Sequence, residues 1–201
     1  MDTDEFLDTV QAETKTELSR LGSSKALFAD TDGEMEPAAV LTAAADDATE
    51  AATTFAEWSE IEETAAAAAE RERGHADAIT AELDGYEPGE TPAIITFLQE
   101  QASAVERLGA LVGWTLVVGA KASQCSGFFT GQADPNTASL FRGFGDDYEQ
   151  TREDALAALS ERCDDAEWEQ AQAAAVGAIT AAYEEYVETL EELGVNPKPV
   201  C

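Results

Sequence analysis

The residues whose types and spacing suit chemistry are Glu72 and His75, three positions apart in the stretch AAAAAERERGHADAITAEL. His75 is the only histidine in the 201-residue chain. On a helix, residues three apart lie on one face. There, a carboxylate and an imidazole can share a proton or offer two donors to a metal ion. Ile61, Ala65, Ala68, Glu72, His75, Ile79 and Leu83 recur at spacings of three and four, the pattern of a core-facing stripe. An acid and an imidazole thus stand where apolar residues are expected.

These two residues need a helical hairpin to position them. Pro37 suits a first helical position, and neither Pro nor Gly interrupts the chain again until Gly74. One helix over this run and on to Asp84 would be about 70 Å long, whereas a domain of this size is about 40–45 Å across. The run must fold back, and EWSEIEET is the place. Ser59 and Glu62 there match a Ser-x-x-Glu capping box. The expected arms are Pro37 to Trp58 and Glu60 to Asp84. Asp47 lies twelve residues before Ser59 and Glu72 thirteen after it, so in an antiparallel hairpin they meet at similar height. Asp47, Glu72 and His75 are the candidate metal ligands. Lys121, the one charge between Leu108 and Ala133, is their candidate internal partner, because a buried carboxylate needs a counter-charge.

The remaining chain reads as helix throughout. A first helix is expected from Asp2 to Leu21, stopped by Gly22. A loop from Ser23 to Glu36 follows, ending in the turn-like ADTDGE. Thr91-Pro92 opens a helix running to about Thr130, with a bend or a close helix contact at Gly109 and Gly113. Its stretch from Leu108 is apolar on all sides and belongs at the centre. Asp134-Pro135 opens another helix, with Leu140, Phe144, Tyr148, Thr151, Ala155 and Leu159 inward. Asp164-x-x-Glu167 caps the last, with Trp168, Ala175, Ile179, Tyr183, Tyr186, Leu190 and Leu193 inward. No strand pattern is present. The chain reads as one helical domain, 1–201: an N-terminal helix and loop over 1–34, a bundle over 35–163, and a C-terminal helix and tail over 164–201.

Composition sets the surroundings. Acidic residues number 42 against 11 basic, for a formal charge of -31, and only Lys15, Lys25, Lys121 and Lys198 are lysine. The acids are dispersed over the helices, which suits concentrated salt, where screening lengths shrink to about 3 Å. A halophilic cytoplasm is the expected setting. Clustered Lys and Arg for phosphate contacts are not evident, so direct nucleic-acid binding is not expected. The acidic start MDTDEFLD is unlike a signal peptide. Leu108 to Ala120, the most apolar run, is too short to span a bilayer, so no membrane partner is expected. Cys125, Cys163 and Cys201 form no Cys-x-x-Cys and read as reduced thiols.

With these residues in view, the chain resembles the rubrerythrin-related, ferritin-like family. EETAAAAAERERGHADAI is similar to the second bundle helix of rubrerythrins, with Glu72 and His75 at its Glu-x-x-His. GFFTGQADP, ASLF and GVNPKP resemble a haloarchaeal group of that family. The resemblance implies an all-α, ferritin-like four-helix bundle with extra N-terminal and C-terminal helices, and iron as the metal of its centre. In the family's pattern two helices each give a Glu and two others each a Glu-x-x-His. Here Asp47 is the nearest acid on the first helix, Lys121 and Gln124 stand on the third, and Tyr148 and Thr151 replace the fourth helix's pair. A complete di-iron centre is therefore not expected. The leading expectation is a degenerate, non-catalytic or weak single-metal site. One alternative is an iron oxidoreductase or peroxidase whose site is completed in a homodimer. Another is a helical interaction or regulatory scaffold, since some such relatives carry a transcription-antitermination label.

The charge carries a direct test. The protein should unfold cooperatively as ionic strength falls well below molar, followed by circular dichroism. Equal stability in dilute buffer would remove the halophilic reading.

Overall fold

The structure, a computed structural model, describes residues 1–59 and 62–197. Among the described residues the protein is all-α, with nine helices and no strand. Glu60 and Ile61 of the expected hairpin bend, and Lys198 and Cys201 of the tail, lie outside them.

The N-terminal segment is three helices where one helix and a loop were expected. α1 spans Thr3–Glu13, α2 Lys15–Leu21 and α3 Ser24–Asp30. Thr14 divides the first two: it is buried, and its hydroxyl donates to the Val10 carbonyl at 2.7 Å. That bond competes with helix continuation, as Thr side chains do. α3 falls in the expected loop. It forms because Ala26, Leu27 and Ala29 find a surface to bury against, a tertiary gain that short-range pattern does not contain. The expected turn after it is present, with Gly33 at φ +84.

The hairpin bends where expected but with another cap. α4 spans Pro37–Trp58 and α5 Glu63–Thr80, packed along each other. Ser59 is the C-terminal cap of α4, and its hydroxyl donates to the Ala56 carbonyl. The Ser59–Glu62 capping box is not formed. Glu62 itself caps α5 by accepting from the Thr64 N–H at 3.2 Å. Glu62 is also buried and ion-paired with Arg162, which anchors it at this end of the hairpin.

α6 spans Ala93–Gln99 and α7 Ala104–Gly131. The break lies at Ser103, which forms a capping box with Glu106, and not at Gly109 or Gly113. Those glycines serve as close contacts. α8 spans Pro135–Arg162, and α9, spanning Asp165–Glu192, opens on the expected capping box of Asp164 and Glu167. α7 packs along both α8 and α9. A Cβ at Gly109 would overlap the Ala171 carbonyl oxygen of α9, and one at Gly113 the Ala175 carbonyl oxygen. Backbone thus meets backbone, and Trp114, Val117, Leu108 and Leu111 of α7 are enclosed. The expected central helix is central. α9 is a core element, with Trp168, Ala175, Ile179 and Tyr186 buried, whereas Leu193, expected inward, is exposed.

The glycines separate two effects. Gly109→Ala should destabilise by about 3 kcal/mol, because the partner atom is backbone and cannot rotate away. Gly74, in the interior of α5, has open space where a Cβ would point, with no atom within 4 Å. Gly74→Ala should stabilise by about 0.5–1 kcal/mol through helix propensity. Denaturant unfolding at molar salt measures both; similar effects would contradict the α7–α9 contact.

Candidate functional site

The site is built on α5, α7 and α8, with α3 and α4 closing one side. Glu72 and His75 are 2% and 3% exposed, so the stripe does turn them into the interior. His75 Nδ1 lies 3.4 Å from Glu72 Oε2, and its Nε2 lies 3.0 Å from Asp147 Oδ2 on α8. The imidazole is held between two carboxylates, one buried and one half-exposed. Phe144 lies against the ring at 4.1 Å between centroids, and Tyr148 meets it edge-on at 5.2 Å. The Glu72 contact lacks hydrogen-bond geometry. Glu72 Oε2, His75 Nδ1 and Trp114 Nε1 are therefore buried polar atoms without a hydrogen-bond partner. Few such groups persist in native structures, since each carries a desolvation cost of about 1–3 kcal/mol.

Burial pushes the Glu72 carboxyl above its ordinary range, against the pull of His75 and of the nearby Trp114 indole. Burial would lower His75, but Glu72 and then Asp147 outweigh it, and the imidazole is raised above 6.5. Tyr148 is raised by burial and by the Glu72 charge, so its hydroxyl stays protonated.

Asp47 turns to a different partner. Lys121 Nζ of α7 lies 3.1 Å from Asp47 Oδ2 of α4 and 3.1 Å from Asp30 Oδ1 of α3. Burial disfavours the ammonium, but Asp30 and Asp47 outweigh it and raise its pKa. Lys121 is a permanent interior cation at this site. The trio edges an acidic cavity of about 360 Å³ that Asp46 and Glu185 also line.

Lys121 therefore meets the hairpin carboxylate expected of it, and Glu72 and His75 meet each other. Gln124, a candidate polar partner, instead donates to the Gly22 carbonyl at 2.7 Å. Two participants were not foreseen. Asp30 sat in an expected loop, and only the burial of α3 brings it to Lys121. Asp147 flanks the α8 stripe one position before Tyr148, a signal that helical spacing from Thr151 could have supplied. Thr151 accepts from Arg71, which also pairs with Asp154 at 3.0 Å. His75–Asp147 and Arg71–Thr151 thus link α5 to α8 in antiparallel register.

As a metal site this donor set is poor. Among the described residues no three His, Cys, Asp or Glu side chains converge so as to hold a metal ion. A fixed ammonium stands beside Asp47, where it repels a cation. The residues do not fit the dinuclear centre implied by the resemblance. Cys125 is buried, with its thiol pushed up to about 12 by burial, which leaves it protonated and a poor ligand. No helix among the described residues is long and apolar enough to cross a membrane. Comparison with known proteins supplies no relative: no family model, curated protein or solved structure matches the chain.

The sole imidazole gives a clean readout. Its proton resonances should titrate with a midpoint above 6.5, and Asp147→Asn should lower that midpoint. A folded-state pKa above the unfolded value means that the His75 contribution to stability is complete below pH 6.5. It is lost as pH rises through the folded value. A midpoint below 6.5 would show that burial, not the two carboxylates, governs His75.

Proposed function

We propose that this chain is a ferritin-like, rubrerythrin-related helical protein whose polar centre is non-catalytic and acts as an internal ion-pair network. The observation that carries this reading is the Lys121 ammonium seated 3.1 Å from both Asp30 and Asp47. An ammonium between two carboxylates supplies the positive charge that a metal would otherwise bring, and it does so without open coordination positions. It supports a role in tying α3, α4 and α7 together rather than in turnover.

A second reading has its own support. Glu72 Oε2 and His75 Nδ1 are both buried, adjacent and without hydrogen-bond partners. Two such atoms suit weak binding of a single divalent ion, which needs deprotonated donors and so tightens as pH rises.

Metal analysis on protein purified without chelators, together with two variants, tests both readings. Lys121→Ala should destabilise by about 3–5 kcal/mol, because it leaves two carboxylates facing each other. Iron should be well below one per chain. Weak binding abolished by Glu72→Ala or His75→Ala would establish the single-ion site. Two irons per chain, with Lys121→Ala nearly silent, would overturn the ion-pair reading and favour an oxidoreductase completed in a dimer.

A further inference from the structure

α8 carries a second pattern on the flank turned away from α5. Gly145, Glu149, Arg152 and Leu156 follow one another at spacings of four, three and four, which makes a single stripe on a helix. Gly145, Glu149 and Arg152 border a groove of about 310 Å³ whose α7 side includes Leu116, Gly119 and Ser123. Asp147, Thr151 and Asp154, which hold α5, lie on the other flank of α8. The stripe is at the surface: Glu149 is exposed, and Gly145, Arg152 and Leu156 are partly buried.

Glycine inside a helix lowers its stability relative to alanine. At Gly109 and Gly113 that loss has a return, because α9 backbone fills the space. At Gly145 it has none within the chain: a Cβ there would meet nothing within 4 Å. Charge and spacing say what could use the space. From Leu116 to Arg152 three basic residues stand against four acidic, whereas the whole chain has 11 against 42. Two copies of a chain with a formal charge of -31 approach most easily where their charges are most nearly balanced. Molar salt, with screening lengths of about 3 Å, suppresses the repulsion of the more distant acids.

We propose that a second copy of this chain docks here, α8 against α8 in antiparallel register, about a two-fold axis midway between Glu149 and Arg152. The spacing of the stripe reads the same from either end, so its residues pair across such an axis. Glu149 faces Arg152 of the partner subunit, and Arg152 faces Glu149 of the partner subunit. Gly145 receives Leu156 of the partner subunit in the space that a Cβ would occupy. Each contact occurs twice, as an isologous interface requires. A parallel pairing would instead set Glu149 on Glu149 and Arg152 on Arg152. Among the described residues no ion pair joins Glu149 to Arg152 within the chain, so both remain for the contact across the axis. The contact uses none of Glu72, His75 and Lys121, so it stands apart from the polar centre and adds no ligand to it.

Analytical ultracentrifugation of the full chain in molar potassium chloride is the test, with a dimer expected to form as concentration rises. Arg152→Glu turns both charge contacts into like-charge contacts and should weaken association about tenfold. Adding Glu149→Arg to the same chain restores opposite charges across the axis and should bring the affinity back to within about twofold. A contact in another register, or with a different protein, would not be restored. Gly145→Leu should leave a monomer, because the new side chain occupies the place of Leu156 of the partner subunit. Gly74→Leu makes the same change at an open, exposed position of α5 and should leave the dimer intact. Unfolding curves of the variants are measured alongside. A monomer at every concentration, a charge swap that restores nothing, or equal effects of the two leucine substitutions would each overturn the proposal.

Discussion

A lysine ammonium enclosed among helices must have carboxylates beside it, and that requirement shapes much of this protein. Lys121 sits on α7, the helix buried on nearly all sides, so its charge is carried into the interior by the apolar residues around it. Asp47 and Asp30 answer it from α4 and α3, each at 3.1 Å. A single buried charge thereby fixes three elements relative to one another. It also gives the short α3 a reason to be where it is, since seven residues have little helical stability of their own. Removing one partner from such a set costs more than the set contributes as a whole, because the remaining charge is stranded.

The second organising contact is steric. Gly109 and Gly113 let α7 approach α9 until backbone meets the Ala171 and Ala175 carbonyls. Small residues on both helices make that approach possible, and aromatic residues fill the space on either side, with Phe55 edge-on to Trp114 and Phe6 tilted on Trp168. The consequence is that α9 belongs to the core. The hairpin of α4 and α5 shares this core through Val40, Phe55, Trp58 and Ile79, and polar links add to it. Glu62–Arg162, Arg71–Asp154 and His75–Asp147 all run from the hairpin to α8.

Charge is therefore distributed on three scales. The surface is predominantly acidic, the interior pairs Lys121 closely with Asp30 and Asp47, and Lys15, Arg20 and Lys25 line one pocket with no carboxylate among the described residues. The Glu72–His75 pair belongs to the second class. Its two buried, unpartnered atoms, Glu72 Oε2 and His75 Nδ1, suit weak cation binding.

The sequence by itself determined the all-α class, the hairpin bend after Trp58, the capping box at Asp164 and the burial of Glu72 and His75, and it offered Lys121 as a candidate partner for the hairpin acids. These follow from periodicity, caps and the rule that buried charge is partnered, all of which are local or nearly so. The tertiary structure alone decided the rest. Ser59 and Glu62 could cap a helix together, but the buried pairing of Glu62 with Arg162, 100 residues away, accompanies a different cap. Asp30 read as part of a loop until the burial of Ala26, Leu27 and Ala29 made it helical and placed it against Lys121. Asp147 lay beside a stripe, and only the register of α8 against α5 brings it to His75. Lys15, Arg20 and Lys25 are near one another in sequence, but only the packing of α2 and α3 beside Tyr186 of α9 sets them around one pocket. Each of these depends on which surface buries which, and that is a property of the whole chain's packing rather than of any window of its residues.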